Sequence, residues 1–185
     1  SAASDVYKRQ DETFAAARGN MVIIDDVIYA VCYNRWAVTW LEKSEDFGRS
    51  WEVVSWLDER LWTNQIECGR INEASLGYYD GKMYVVGRQQ SENGDNRLEI
   101  GVSEDLGVTW TWSFLPIEGH APSLTPYKDA FILTYRNVKD SNRGKYSFDT
   151  VLLKDGKLAS NPASLFESDN FDAVSYTHLT LPTTS

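Results

Sequence analysis

Cysteine is scarce in this chain of 185 residues, with only Cys32 and Cys68 present. Two thiols so placed make neither a disulfide framework nor a metal-ligand spacing, and they read as buried or half-buried apolar groups. Histidine is equally scarce, with His120 and His178 alone, and no cluster of histidine, cysteine and carboxylate suggests a metal. No cofactor-binding motif is visible either. No apolar run approaches the roughly 18 residues that a membrane-spanning helix needs, and no stretch keeps a helical period long enough to form a substantial helix. Basic residues are outnumbered, 18 against 27 acidic, for a net charge of -9. Long-range attraction to nucleic acid or to an anionic membrane surface is therefore excluded as a main function. An anionic small ligand would need a local cluster of arginines.

What is present is aromatic and strand-like. Hydrophobic residues make up 42% of the chain and aromatic residues 13%, a composition that favours a packed domain over disorder. Short runs rich in branched and aromatic residues flank turn pairs. MVIID and VIYAVCYN flank Asp25-Asp26, NEASLGYY and KMYVVGR flank Asp80-Gly81, and HAPSLTPY and AFILTYR flank Lys128-Asp129. Asp-Gly supplies the positive φ angles of a tight two-residue hairpin. Further strands follow each hairpin: WAVTWLEKS and SWEVVSWL, then RLEIGVS and TWTWSFLPI, then KYSFDTVLLKDGK with LASNPASLFES as a last strand or loop. The inner turns recur about every 50 residues, with four strands per unit, which is the mark of propeller blades. The fold class expected is all-β, with units at about 19–58, 70–117 and 119–168 and a polar connection at 58–70. A flat sandwich of tandem hairpins would not account for the repeated turn described next.

One octet occurs twice, as Ser44-Glu-Asp46-Phe-Gly48-Arg-Ser50-Trp51 and as Ser103-Glu-Asp105-Leu-Gly107-Val-Thr109-Trp110. Ser and Asp side chains can bond backbone amides across a turn, Gly accepts a conformation other residues avoid, and Trp fills the apolar gap beneath. Such fixed turn chemistry is a folding device, so Asp46 and Asp105 are structural rather than catalytic candidates. The third unit lacks the octet.

The two ends are set aside. Ser1 to Gln10 and Val174 to Ser185 resemble translated sequencing adapter and are expected not to be native. The segment 11–173 is then expected to be a partial propeller, open at both ends, exposing apolar flanks.

Candidate chemistry gathers at one end of the units. Antiparallel pairing about Asp80-Gly81 sets Glu73 opposite Arg88, and Arg136 holds the matching place in the third unit, where the first has Tyr33. Glu73, Arg88 and the Ser91 to Asn96 loop are expected on one face with His120, Arg136 and the Asn137 to Lys145 loop. Arginine suits a carboxylate clamp because its planar fork makes paired hydrogen bonds. The same residues also fit solvated strand ends or a hairpin ion pair. His120 would donate to a sugar hydroxyl or carboxylate, or satisfy a loop carbonyl.

The octet resembles the Asp-box of the sialidase-like (BNR repeat) β-propeller family, where it joins the third and fourth strands of a blade. NEASLGYYDGKMYVVGR is similar to the family stretch in which an Asn-Glu opens a strand and an Arg closes the next. GHAPSLTPYKDAFILTYR resembles its Gly-His-Pro stretch with closing Arg, here with Ala121 before Pro122. The resemblance implies a six-bladed propeller of which about three blades are present, and an exo-sialidase or related exo-glycosidase acting on terminal acidic sugars. It implies that Glu73 polarises a tyrosine nucleophile and that Arg88 and Arg136 grip the substrate carboxylate. It also implies a carbohydrate partner and a secreted or periplasmic setting. The family's first-blade Arg, its Asp acid/base and its Tyr nucleophile have no counterpart here, so the fragment alone is expected to be inactive. The rival expectation is a non-catalytic Asp-box propeller that binds a glycan or a protein.

Overall fold

The computed structural model describes residues 15–16, 20–34, 38–57, 70–90, 96–140 and 145–168. The expectations for the adapter-like ends, for residues 58–69 of the connection, for Cys68, for residues 91–95 of the Ser91 to Asn96 loop and for residues 141–144 of the Asn137 to Lys145 loop lie outside those residues, while Arg70, Asn137 to Asp140 and Lys145 are strand residues rather than loop. Among the described residues there is no helix, and the strands form three antiparallel sheets in chain order. The first holds β1 (Ala15–Ala16), β2 (Val22–Ile24), β3 (Val27–Asn34), β4 (Thr39–Ser44) and β5 (Glu52–Trp56). The second holds β6 (Arg70–Tyr79), β7 (Lys82–Gln90), β8 (Arg97–Ser103) and β9 (Thr111–Glu118). The third holds β10 (His120–Tyr127), β11 (Ala130–Asp140), β12 (Lys145–Lys154), β13 (Lys157–Leu158) and β14 (Ala163–Ser168).

The inner hairpins turn where the sequence places them. Asp25 and Asp26 (φ 48° and 64°), Asp80 and Gly81 (49° and 75°) and Lys128 (52°) all take left-handed backbone, the conformation a tight hairpin demands. Two strands depart from the simple reading. In the first sheet β1 pairs with the far end of β3 while β2 pairs with the near end. In the third, β13 and β14 share the outer edge of β12.

Because side chains alternate across a strand, each sheet has two faces to bury. Tyr29, Val31 and Leu41 of the first sheet pack on Ile71, Leu76 and Val85 of the second. Val86, Leu98 and Ile100, on the other side of the second, pack on Phe131, Leu133 and Tyr135 of the third. The inner strand β6 lies against β3 on one side and β10 on the other. Side-chain hydrogen bonds stitch the joints. Thr39 Oγ1 donates to the Ile71 carbonyl at 2.5 Å, and Ser75 Oγ accepts from the Leu124 amide at 3.0 Å.

The repeated octet makes the same turn twice. Ser44 Oγ donates to Asp46 Oδ1 at 2.9 Å and accepts from the Gly48 amide at 2.8 Å. Asp46 Oδ1 accepts from the Ser50 amide at 2.8 Å, and its Oδ2 from Ser50 Oγ at 2.6 Å. Ser103, Asp105, Gly107 and Thr109 repeat all four bonds. Trp51 and Trp110 each donate an indole N–H back to the glycine carbonyl, at 3.1 and 2.9 Å. Both carboxylates accept a side-chain and a backbone hydrogen bond from the residue four further on, and these hold them down at about pKa 2. The two turns differ in what surrounds them. Gly107 sits at the joint with the first sheet, its carbonyl accepting from Ser55 Oγ at 2.6 Å.

That difference yields a prediction. Gly48 and Gly107 both have left-handed backbone, φ 82° and 87°, so alanine at either costs about 1–2 kcal/mol from conformation alone. A Cβ on Gly48 would meet Trp51 at an ordinary 3.6 Å, whereas one on Gly107 would lie 2.0 Å from Leu41 Cδ2. Gly107→Ala is therefore expected to lower stability by roughly 1–3 kcal/mol more than Gly48→Ala, as read from urea midpoints. Equal losses would show that the second turn is not wedged between sheets.

Candidate functional site

The site starts from an irregularity shared by two inner strands. In the β6–β7 ladder Asn72 pairs with Arg88 and the next pair is Ser75 with Val86. Glu73 and Ala74 thus stand opposite one residue, a β-bulge. The β10–β11 ladder repeats this: His120 pairs with Arg136, then Ser123 with Thr134. The residue after each pair takes left-handed backbone, Glu73 and Ala121 both at φ 48°. The expectation that Glu73 lies directly opposite Arg88 is thereby corrected. Asn72 holds that position, because the bulge consumes one residue between the turn and the strand end. Bulges re-aim side chains, and here Glu73 is turned toward the neighbouring sheet.

There it meets the third sheet. Glu73 Oε2 accepts from the Ala121 amide at 3.0 Å and lies 3.3 Å from Arg88 Nε. Arg88 Nε also donates to Asn72 Oδ1 at 3.0 Å. Arg88 Nη1 lies 2.8 Å from His120 Nδ1, and Arg136 Nη2 approaches the same nitrogen at 3.4 Å. Glu73 and Arg88 side chains are only 12% and 17% exposed, and Arg136 is buried. All four residues nominated from the sequence therefore converge, two from each sheet.

Guanidinium groups only donate hydrogen bonds, so His120 Nδ1 must offer its lone pair to both arginines. That fixes the neutral ring with its proton on Nε2. The electrostatics agree. Burial first, then the Arg88 charge and that of Arg136, push His120 down to about pKa 4, with Glu73 pulling the other way. A neutral imidazole thus bridges two cations, and its Nε2–H is a donor. Paired guanidinium groups are chemically suited to an oxygen-rich anion.

Three further residues were not singled out in the sequence. Asn72 orients Arg88, and its only signal was its place beside Glu73. Ala121 contributes through its backbone, and the extra residue before Pro122 was that bulge in sequence form. Asp149, buried on β12 opposite Tyr135, accepts from Asn137 Nδ2 at 2.8 Å. Tyr135, beside Arg136 in β11, is a core residue whose hydroxyl burial pushes up to about pKa 12. Asp46 and Asp105 stand on the turns between third and fourth strands, at the other end of the sheets from the cluster. Among the described residues no group of three or more His, Cys, Asp or Glu is placed to hold a metal ion, and no helix is long and apolar enough to cross a membrane.

No family model matches the chain, and no curated protein matches it by sequence. Solved structures do match. The α-L-arabinofuranosidase Arb93A from Fusarium graminearum, in complex with an iminosugar inhibitor, superposes with a TM-score of 0.64 at 18% identity, covering 82% of this chain and 48% of that one. The Bacteroides ovatus xyloglucan PUL GH43B protein gives 0.62 at 15% identity, over 80% of this chain and 30% of that one. Zg3597, a family 117 glycoside hydrolase of Zobellia galactanivorans, gives 0.57 at 14%, over 76% and 53%. These neighbours are propeller glycosidases, and at such identities the likeness is one of fold. The chain spans about a third to a half of their lengths.

The bridging imidazole makes a pH prediction. His120 has its pKa lowered from 6.5 to about 4 in the fold, so between those values the unfolded chain takes up a proton that the folded chain refuses. Stability from this group is thus full above pH 6.5, falls as pH drops toward 4, and changes little below. Proton NMR of the His120 ring should show no titration above about pH 5. A midpoint near 6.5 would mean that the two arginines do not share Nδ1.

Proposed function

We propose that this chain is part of a glycosidase-type propeller whose central face holds a terminal acidic sugar, in the manner of the sialidases. In this reading Arg88 and Arg136 take the sugar carboxylate, His120 Nε2–H donates to a carboxylate or hydroxyl oxygen, and Glu73 is the fixed anion beside them. The observation that carries it is the convergence of two guanidinium groups on His120 Nδ1, which brings paired cationic donors from neighbouring sheets to one point. Arginine forks favour a planar carboxylate. The repeated turn, with the bonding expected of an Asp-box, and the glycosidase neighbours support the carbohydrate part.

The chemistry follows from charge. Departure of a glycosidic oxygen leaves an oxocarbenium-like sugar, and a preorganised carboxylate such as Glu73, anchored by the Ala121 amide and Arg88, favours positive charge nearby without moving. The sialidase pattern has the acid polarise a tyrosine nucleophile. Tyr135 does not fit that task, being buried in the core with its pKa raised. The nucleophile and the acid/base would come from further blades of a longer parent, and the chain by itself would bind without cleaving.

A non-catalytic glycan-binding propeller is the second reading. It is favoured by the ion pair between Glu73 and Arg88 at 3.3 Å, which also serves simply to fix the strand ends. Calorimetric titration with a sialic-acid-terminated oligosaccharide tests the shared part. Removing one charged donor in Arg88→Ala should weaken binding by about 10- to 100-fold, the worth of a charge-assisted hydrogen bond. Unchanged affinity would eliminate the clamp in either reading.

A further inference from the structure

The arginines of the cluster are already engaged, and what engages them is a base. Arg88 Nη1 lies 2.8 Å and Arg136 Nη2 3.4 Å from the same nitrogen, His120 Nδ1. One lone pair thus serves two guanidinium groups, which can only donate. Arg88 is held from behind as well, its Nε donating to Asn72 Oδ1 at 3.0 Å and lying 3.3 Å from Glu73 Oε2. A carboxylate that comes to both arginines therefore competes with His120 Nδ1 for their N–H groups.

Charge decides what the histidine does next. Among the described residues, the charged groups that act on its ring are Arg88 of β7, Glu73 of β6 and Arg136 of β11. Asp149 of β12 pairs with Tyr135 and so lies on the other face of the third sheet from Arg136, while Glu118 of β9 is exposed and stands opposite Arg97. Two cations against one anion, together with burial, keep a proton off the empty cluster's imidazole. A bound carboxylate adds a second anion, which balances the two guanidinium charges, and it draws their N–H groups away from Nδ1. Both obstacles to protonation are removed by the same event.

We propose that His120 is a proton-coupled latch on the arginine pair: a sugar carboxylate replaces Nδ1 as the acceptor for Arg88 and Arg136, and the freed Nδ1 takes one proton from solvent and donates the new N–H to that carboxylate. The inference rests on the acidic-sugar reading above and adds the condition under which the site fills. The ligand enters as a carboxylate accompanied by a proton, so affinity rises toward acid pH. A sugar without a carboxylate gives no such coupling.

Calorimetric titration of the chain with a sialic-acid-terminated oligosaccharide, repeated in buffers of different ionisation enthalpy, counts the protons. His120 is held near pKa 4 in the empty cluster, and charge balance returns it toward the ordinary imidazole value of about 6.5 once the carboxylate is in place. Uptake of about half a proton to one proton per sugar is therefore expected at pH 5.5, falling toward none at pH 8, with affinity about tenfold or more tighter at pH 5 than at pH 8. His120→Gln keeps an amide oxygen for the arginines but cannot titrate, so its binding should show neither proton uptake nor that pH dependence. The ring signals of the unaltered cluster, assigned with the help of His178→Gln, give a second reading that needs no change at the site. Saturating sugar should move the His120 midpoint from about 4 to above 5. Binding without proton uptake, with the ring still neutral at pH 5.5, means that the carboxylate uses other N–H groups and leaves the bridge intact, and it overturns the latch alone. Uptake that persists in His120→Gln places the proton elsewhere and overturns it too. Absence of binding at either pH removes the acidic-sugar reading and the latch with it.

Discussion

The middle of the three described sheets is apolar on both faces, and a sheet of that kind has to be sandwiched. Twisted sheets that must all be covered on both sides arrange themselves as blades around an axis, each covering its neighbour. The two interior joints show how this works: Val85 faces one neighbour and Val86 the other, one residue apart on β7. The inner strands are drawn close together, β6 between β3 and β10. Anything placed at the end of an inner strand can therefore touch its counterpart on the next sheet. The ion pair and the bridging histidine both follow from that one packing requirement.

The bulges convert this architecture into a site. Without the extra residue, Glu73 would sit in register across from Arg88 as an ordinary cross-strand pair. With it, Asn72 takes the place opposite Arg88 and Glu73 reaches the Ala121 amide on the third sheet. Asn72 and Glu73 then hold the near side of Arg88 while His120 meets its far end. Non-glycine residues at positive φ are strained by about 1–3 kcal/mol each. Two of them at equivalent points, Glu73 and Ala121, are best understood as strain kept for the geometry it produces.

Much of this was legible in the sequence. The order of strands, the inner turns and the octets follow from alternation, from Asp-Gly chemistry and from repetition, all of them local signals. The four residues Glu73, Arg88, His120 and Arg136 were found because strand ends equidistant from inner turns must lie at the same level. What was missed is what short-range patterning does not encode. The bulge moved the partner of Arg88 by one residue, and nothing in NEASLGYY marks where a ladder slips. The pairing of β1 with β3 and the split outer edge of the third sheet depend on twist and on contacts distant in sequence. The difference between Gly48 and Gly107 is a matter of which sheet lies next door, and the octet is blind to it.

The central claim is that two arginines on adjacent sheets, held by a neutral histidine, form one receptor for a carboxylate. A crystal structure with a sialic-acid-terminated glycan bound tests it most directly. The account predicts the carboxylate within hydrogen-bonding distance of both Arg88 and Arg136, with His120 Nε2 donating to the same sugar. A glycan bound elsewhere on the propeller, or one whose carboxylate points to solvent while the Arg88, His120 and Arg136 contacts stay intact, would contradict it and return Glu73 and Arg88 to a structural ion pair.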